Sequence, residues 1–471
     1  MAYRVIGYLC GLMLRQETIV ALASPEGMGA IHVIRMSGEE AIAIANQCFQ
    51  GKSLLDAPSH SAHYGYFVDR SNTKAIQRID EVLITVFRSP RSFTTEDCVE
   101  ISCHGSMVIA QKIINTLIQT GAVPAEAGEF TLRAFLHGRI DLTQAEAVAD
   151  LIASKSEHDR TIALNQMRGG FRNQLKNLRS ELVKFKALVE LELDFGEEDV
   201  EFAERQDLLD LIAQIRSVIK PLAESFTLGN VIKEGLLTVI AGKPNAGKST
   251  LLNALLRDNR AIVSNIAGTT RDTIEEVIQF EGFRLRLIDT AGLRESDDVI
   301  EQVGVAKAKE ELAKAQLMLY VFDAGQESPH SVREHVESLQ HGSAVILIGN
   351  KMDECGDTQV WQDTFPEITL VSLTQNTEEG ISLIQDKITA VLEGLGDIHS
   401  DVILTNSRHV YSLQEALASM EKVEQALQVG LTGDLLSSDI QQSLNALGNI
   451  TGEVTNDEVL GYIFSKFCIG K

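Results

Sequence analysis

The spacing of hydrophobic and polar positions changes character along the chain. Between residue 18 and about residue 121, short runs rich in β-branched and apolar residues, at 18–23, 30–36, 63–68, 80–87 and 97–103, predict strands. Two stretches among them, 39–49 and 106–120, repeat apolar residues at helical spacing, and Gly38, Gly51 and Gly121 punctuate them where the chain must turn. This first region therefore reads as an α+β domain.

From residue 142 to about 228 the pattern becomes that of long amphipathic helices. Leu178, Leu182, Phe185, Val189 and Leu193 recur at three- and four-residue intervals, which lines them along one face. A second such helix runs through Leu413, Leu417, Met420, Val423 and Leu427. Between the two, residues 235–392 alternate strand, loop and helix as in a doubly wound α/β domain. The economical arrangement is one helical domain drawn from both sides of an inserted α/β domain, with its helices pairing across the insertion. In numbers, 16–138 is the first domain, 139–230 and 396–471 are the two parts of the helical domain, and 231–395 is the insertion.

Composition narrows the classes. A chain of 471 residues with 44% hydrophobic and 23% charged residues can bury several cores and is not globally disordered. Lys plus Arg number 42 against 66 Asp plus Glu, a net charge of −24, which disfavours a basic nucleic-acid or membrane-binding surface and leaves RNA contact local or supplied by a partner. Six scattered cysteines do not make a disulfide framework and fit a reduced, cytoplasmic compartment. Cys98, Cys103 and His104 are too loosely spaced for a zinc site. No apolar run approaches the roughly 18 residues that cross a bilayer, and residues 1–14 read as an extension rather than a signal peptide.

The apolar strand 236–241 runs straight into Gly242-Lys243-Pro244-Asn245-Ala246-Gly247-Lys248-Ser249, which satisfies GxxxxGK[ST] and is followed by a helical stretch. Its glycines let backbone N–H groups converge on phosphate oxygens, Lys248 neutralises the β/γ charge and Ser249 offers a hydroxyl to Mg²⁺. A tight strand-helix turn alone would need neither Lys248 nor Ser249. Downstream, the apolar strand 344–349 ends in Asn350-Lys351-Met352-Asp353, an NKxD sequence. A carboxylate at Asp353 accepts both N–H donors of a guanine edge, whereas adenine would leave it unpaired, so the sequence favours GTP.

Between these motifs lies Asp289-Thr290-Ala291-Gly292. Asp289 suits Mg²⁺ through water, and Gly292 can offer an N–H to a γ-phosphate. Leu293 follows where glutamine-using GTPases carry the residue that orients water, so another group must do so here; Glu295, Asp297, Asp298 and Glu301 are the candidates. The segment from Ser264 to Asp272 reads as the first switch, with Thr270 preferred over Thr269 for the Mg²⁺ shell. Arg271 reads either as an arginine finger or as an ordinary ion-pair partner.

Together with the terminal Phe467-Cys468-Ile469-Gly470-Lys471, the stretch 124–146 and Asp289-Thr290-Ala291-Gly292-Leu293-Arg294-Glu295, these motifs resemble the tRNA-modification GTPase MnmE (TrmE) family from about Glu17 onward. The resemblance implies an N-terminal α+β domain that dimerises and binds 5-formyltetrahydrofolate or a related folate, a discontinuous helical domain and an inserted Ras-like P-loop G domain. It implies modification of C5 of the wobble uridine (position 34) of certain tRNAs, by an aminomethyl or carboxymethylaminomethyl group built on the folate one-carbon unit. The implied partner is the flavoprotein MnmG in a heterotetramer, with FAD and NADH on that partner and tRNA bound mainly by the complex. By the same resemblance, GTP contacts fall at Asn245, Ala246, Gly247, Lys248, Ser249 and Thr250, at Ser264, Asn265, Ile266, Ala267, Gly268, Thr269 and Thr270, and at Asp289, Thr290, Ala291 and Gly292. The base side adds Asn350, Lys351, Asp353, Ser372, Leu373 and Thr374, although Ser372-Leu373-Thr374 departs from the family's usual Ser-Ala-Lys loop.

K⁺ would bind at Asn245, Ser264, Ile266 and Thr269, Mg²⁺ at Ser249 and Thr270, and Glu301 would orient the water, so that Glu301, Asn245 and Lys248 carry catalysis. Folate would meet Arg35, Glu100, Arg139 and Lys471, with Arg139 standing where lysine is common in the family. The alternative, a ribosome-assembly GTPase switch, shares the nucleotide motifs but relies on a basic RNA-binding module that this acidic chain lacks.

Overall fold

A computed structural model describes residues 17–70, 76–194, 205–258, 275–289, 315–339, 343–355, 358–373, 377–398, 400, 402–429, 433–454 and 457–470. The chain divides into two compact units. One contains 1–152, 166–202 and 431–471, the other 153–165 and 203–430.

The first unit is built on a seven-stranded sheet with the order β3-β4-β5-β6-β2-β1-β7. Its strands are β1 (Ile19–Leu22), β2 (Ile31–Ser37), β3 (Phe49–Gln50), β4 (Ser61–Asp69), β5 (Gln77–Phe87), β6 (Cys98–His104) and β7 (Val123–Pro124). Ile34, Met36, Val82, Ile84, Val86, Val99 and Ile101 alternate onto one face and pack with helices Ala41–Gln47 and Met107–Gln119. The helix expected over 39–49 is shorter than its apolar spacing predicted, because Phe49 leaves it to pair with Phe67 on β4.

The intervening residues of β2, β5 and β6 point to the opposite face of the sheet. Val33, Ser102, Leu83 and Tyr64 stand in register across four strands there, and Leu83 and Tyr64 are exposed. Helix Gly170–Asp194 buries Leu178, Leu182, Phe185 and Val189 and packs on helix Gly433–Thr451. An Arg179–Glu453 ion pair of 2.7 Å lies beside them.

The second unit holds a six-stranded sheet, β13-β12-β11-β8-β10-β9. Its strands are β8 (Leu236–Ala241), β9 (Glu275–Phe280), β10 (Phe283–Asp289), β11 (Leu317–Asp323), β12 (Ala344–Asn350) and β13 (Thr369–Leu370), all pairs parallel except β9 with β10. Every residue of β11 is buried: Leu317, Leu319 and Val321 enter one core, Met318, Tyr320 and Phe322 the other. A strand covered on both faces reads as a continuous apolar run rather than an alternation. Helix Arg205–Glu224 packs on helix Ser407–Gln428, where Leu413, Met420, Val423 and Leu427 are buried and Leu417 only partly so; Arg216 pairs with Glu424. Both helix pairs join sequence from either side of the inserted sheet.

Candidate functional site

β8 lies centrally, flanked by β10 and β11, so the loops at the C-terminal ends of β8, β10, β11 and β12 share one edge of the sheet. On that edge fall the loop after Ala241, Asp289, Asp323 and Asn350. The loop closes tightly against the sheet. Gly242 has φ +138°, and a Cβ there would meet the carbonyl oxygen of Val321 at 1.9 Å, so no other residue fits. Asn245 takes a left-handed backbone, φ 65°, with its side chain exposed. Lys248 opens helix Lys248–Asp258, and its amine donates to the carbonyl oxygens of Gly242 and Lys243, each at 2.7 Å. Ser249 and Thr250 follow, exposed, in the first turn of that helix.

The two motifs are joined directly. Asn350 donates from Nδ2 to the Ala246 carbonyl at 2.9 Å and accepts from the Leu373 backbone N–H at 3.1 Å. One buried amide therefore ties the phosphate loop to the segment that follows β13. Lys351, at φ 60°, reaches Asp323 at 2.6 Å, and this carboxylate holds its ammonium above the usual lysine range. Asp353 lies exposed in a short 3₁₀ turn, Met352–Glu354, and accepts a hydrogen bond from the Ser372 hydroxyl. Ala246, Gly247, Lys248, Asn350, Asp353, Ser372 and Leu373 are thus gathered along one edge, with Asp289 pairing Ile240 at the end of its strand. Ser264, Asn265, Ile266, Ala267, Gly268, Thr269, Thr270, Arg271, Thr290, Ala291, Gly292, Leu293, Glu295, Asp297, Asp298, Glu301 and Thr374 lie outside the described residues, as does Lys471.

The first unit holds a second constellation. Arg35 and Glu100 face each other in register on β2 and β6, with Nε and Nη2 of Arg35 donating to Oε1 at 2.9 and 2.7 Å. The end of the chain is brought to the same place: Ile469 bridges to Ala127, and the Gly470 carbonyl accepts from Arg35 at 3.4 Å. Gly470 has φ +93°, and a Cβ would meet the Leu22 carbonyl at 2.2 Å. The Arg35 guanidinium stands 5.8 Å from the rings of both Phe93 and Phe130, and Arg139 stands 5.9 Å from Phe93 while donating to the Ser92 carbonyl. A cavity of about 340 Å³ lined by His60, Phe87, Arg91, Ser92, Phe93 and Arg139 opens there.

Behind that wall, Arg133 is buried between Glu96 (3.1 Å) and Glu129 (2.9 Å). Phe93, Phe130 and the Arg133 pair carry no motif that spacing alone would reveal. Cys98 is buried with Ser37 and Thr94 within hydrogen-bond reach, Cys103 is buried, and His104 pairs with Asp80 at 2.7 Å. Among the described residues no group of three or more His, Cys, Asp or Glu could hold a metal ion, and no helix is long and apolar enough to cross a membrane.

Residues 18–139 match a family model described as the GTP-binding protein TrmE N-terminus, and residues 142–468 one described as the MnmE helical domain. A tRNA modification GTPase MnmE of Cytophaga hutchinsonii is 48% identical over 457 residues, covering 97% of this chain and 98% of that protein. One of Christiangramia forsetii is 47% identical over 475 residues, covering 97% and 99%. One of Ligilactobacillus salivarius is 40% identical over 459 residues, covering 97% and 98%.

Proposed function

The chain belongs to the tRNA modification GTPase MnmE family, and on that basis we propose that it uses GTP hydrolysis to drive modification of the wobble uridine of tRNA in the cytoplasm. The observation that carries the GTP reading is the Asn350 side chain, which couples the phosphate loop to the guanine-recognition segment through Ala246 and Leu373. The domain limits 16–138, 139–230, 231–395 and 396–471 go with this reading. The Lys248 amine, held on two loop carbonyls, exchanges them for phosphate oxygens when GTP enters. Ser249 and Thr270 would hold Mg²⁺, which neutralises β- and γ-phosphate charge.

The exposed Asn245 amide, an oxygen donor suited to a hard cation, would with Ser264, Ile266 and Thr269 hold K⁺, which supplies positive charge where the transition state gains negative charge. Glu301 would orient the attacking water, and Asp353, its carboxylate held by the Ser372 hydroxyl, would accept the N–H donors of the guanine edge.

In the N-terminal cleft, an aromatic wall at Phe93, the Arg35–Glu100 pair and the guanidinium of Arg139 suit a ring bearing amino donors joined to carboxylates. Those features support a folate one-carbon donor at Arg35, Glu100, Arg139 and Lys471. The exposed Leu83 and Tyr64, neighbours in register on one sheet face, support pairing with a second copy. MnmG, carrying FAD and using NADH, would complete the reaction in a heterotetramer, with tRNA bound mainly by the complex.

GTP turnover by the purified protein in KCl and NaCl at equal ionic strength tests the ion mechanism, because screening is then constant. Selective acceleration by K⁺ is expected. Equal rates would remove the cation from the mechanism and leave the fold-level GTPase reading standing.

A further inference from the structure

Lys243, second residue of the phosphate loop, is bracketed by a carboxylate and a hydroxyl of the segment that follows β11. Its amine lies 3.0 Å from Oε2 of Glu327 and 3.1 Å from the Ser331 hydroxyl. The Glu327 side chain is only 7% exposed and that of Lys243 44%, so a desolvated carboxylate meets an ammonium that is itself still partly in water. Burial, and then the negative charge of Glu327, push the neighbouring Tyr320 phenol up.

The segment carrying Glu327 is itself anchored to the guanine side. Asp323 accepts Lys351 at 2.6 Å and the Gly325 N–H at 3.0 Å, and its carbonyl accepts the Glu327 N–H at 3.0 Å. The Ala324 N–H donates to the Asn350 carbonyl at 3.0 Å. Phosphate loop and guanine motif are thus joined twice, once directly by Asn350 and once through the 323–331 segment. The second link ends on the residue whose carbonyl also accepts Lys248.

We propose that Glu327 is a positioning residue for nucleotide binding: through Lys243 it holds the phosphate loop open in its anion-binding geometry. This rests on the GTPase reading of the loop and adds to it a residue outside the nucleotide motifs. A loop fixed before the ligand arrives binds it without a further ordering cost. Loss of the bracket therefore weakens ground-state and transition-state binding alike, which raises KM and leaves kcat nearly unchanged.

The test measures the affinity of a fluorescent GDP analogue and steady-state GTP turnover for the wild type, Glu327→Gln, Lys243→Met, Lys243→Arg and the double variant Lys243→Met/Glu327→Gln. The expected result is a loss of affinity of about tenfold in each of the first two, with KM rising and kcat held, retention in Lys243→Arg, and a double variant no worse than the singles. If Lys243 instead serves phosphate directly, Glu327→Gln frees it and affinity stays or rises, which overturns the proposal. Additive losses in the double variant overturn it too. Thermal melting of the nucleotide-free proteins separates a folding defect, and the double variant, which leaves no buried unpaired charge, supplies the comparison should Lys243→Met melt early. If the wild type neither binds the analogue nor turns over GTP, the GTPase reading fails, not the bracket.

Discussion

At the scale of single residues, the phosphate loop is decided by space as much as by charge. A methyl at position 242 would overlap the Val321 carbonyl and sit on a backbone of positive φ, so Gly242→Ala should abolish binding of a fluorescent GDP analogue and lower the melting temperature. Binding equal to wild type would show that β11 can retreat. Asn245 works differently, through its exposed amide: Asn245→Ala should leave nucleotide affinity within a few-fold and remove stimulation of turnover by K⁺ over Na⁺. Persistent K⁺ stimulation would dismiss the amide as a ligand.

Thiols give a pH signature. Burial first, and Asp80 second, push Cys103 up to about 11 from 9.0. The unfolded thiol then loses its proton before the native one, so this group's contribution to stability is complete below about pH 9 and declines from there toward pH 11. The urea midpoint should fall between pH 8 and 10.5, and fall less in Cys103→Ala; identical slopes would mean the thiol titrates alike in both states.

Among the elements, the long helices owe their stability to one buried stripe each. Leu182, on helix Gly170–Asp194, is 1% exposed, and Leu182→Ala should cost about 2–5 kcal/mol by denaturant unfolding, the range for a cavity in a close-packed site. A cost below about 1 kcal/mol would mean that helix Gly433–Thr451 collapses onto the gap. The period of apolar residues made these helices legible, since 3.6 residues per turn projects every buried position to one side. It overran the helix expected at 39–49 because helical spacing cannot register that Phe49 has a strand partner 18 positions later, at Phe67. The two-residue strands β3 and β7 are too short to carry any period.

For the whole molecule, the informative feature is the chain end. Ile469 and Gly470 return to β1, β2 and the 125–128 turn, so a residue near position 470 meets Arg35. Deleting residues 468–471 should weaken binding of 5-formyltetrahydrofolate at least tenfold while GTP turnover stays near wild type, since the nucleotide residues belong to the other compact unit. Calorimetry and a phosphate-release assay on the same preparation decide this; unchanged folate affinity would leave the tail a structural strap.

Sequence alone determined the chemistry carried by contiguous residues: a phosphate loop after an apolar strand, an NKxD after another, and helical stripes flanking both. Each is a local signal, because backbone period and motif spacing act within a few residues. Only the tertiary structure decided which distant groups meet. Arg35 and Glu100 became a pair because β2 and β6 are neighbours in register, and Phe93, Phe130 and the chain end joined them from three other segments. Glu327 found Lys243, and Asp323 found Lys351, because β8, β11 and β12 are parallel neighbours whose C-terminal ends open on one edge. Such pairs depend on strand order and burial, which no window along the chain encodes. Where the carboxylate is the buried member, as at Glu327 and Asp323, the cost of leaving that charge without its partner holds the pair together.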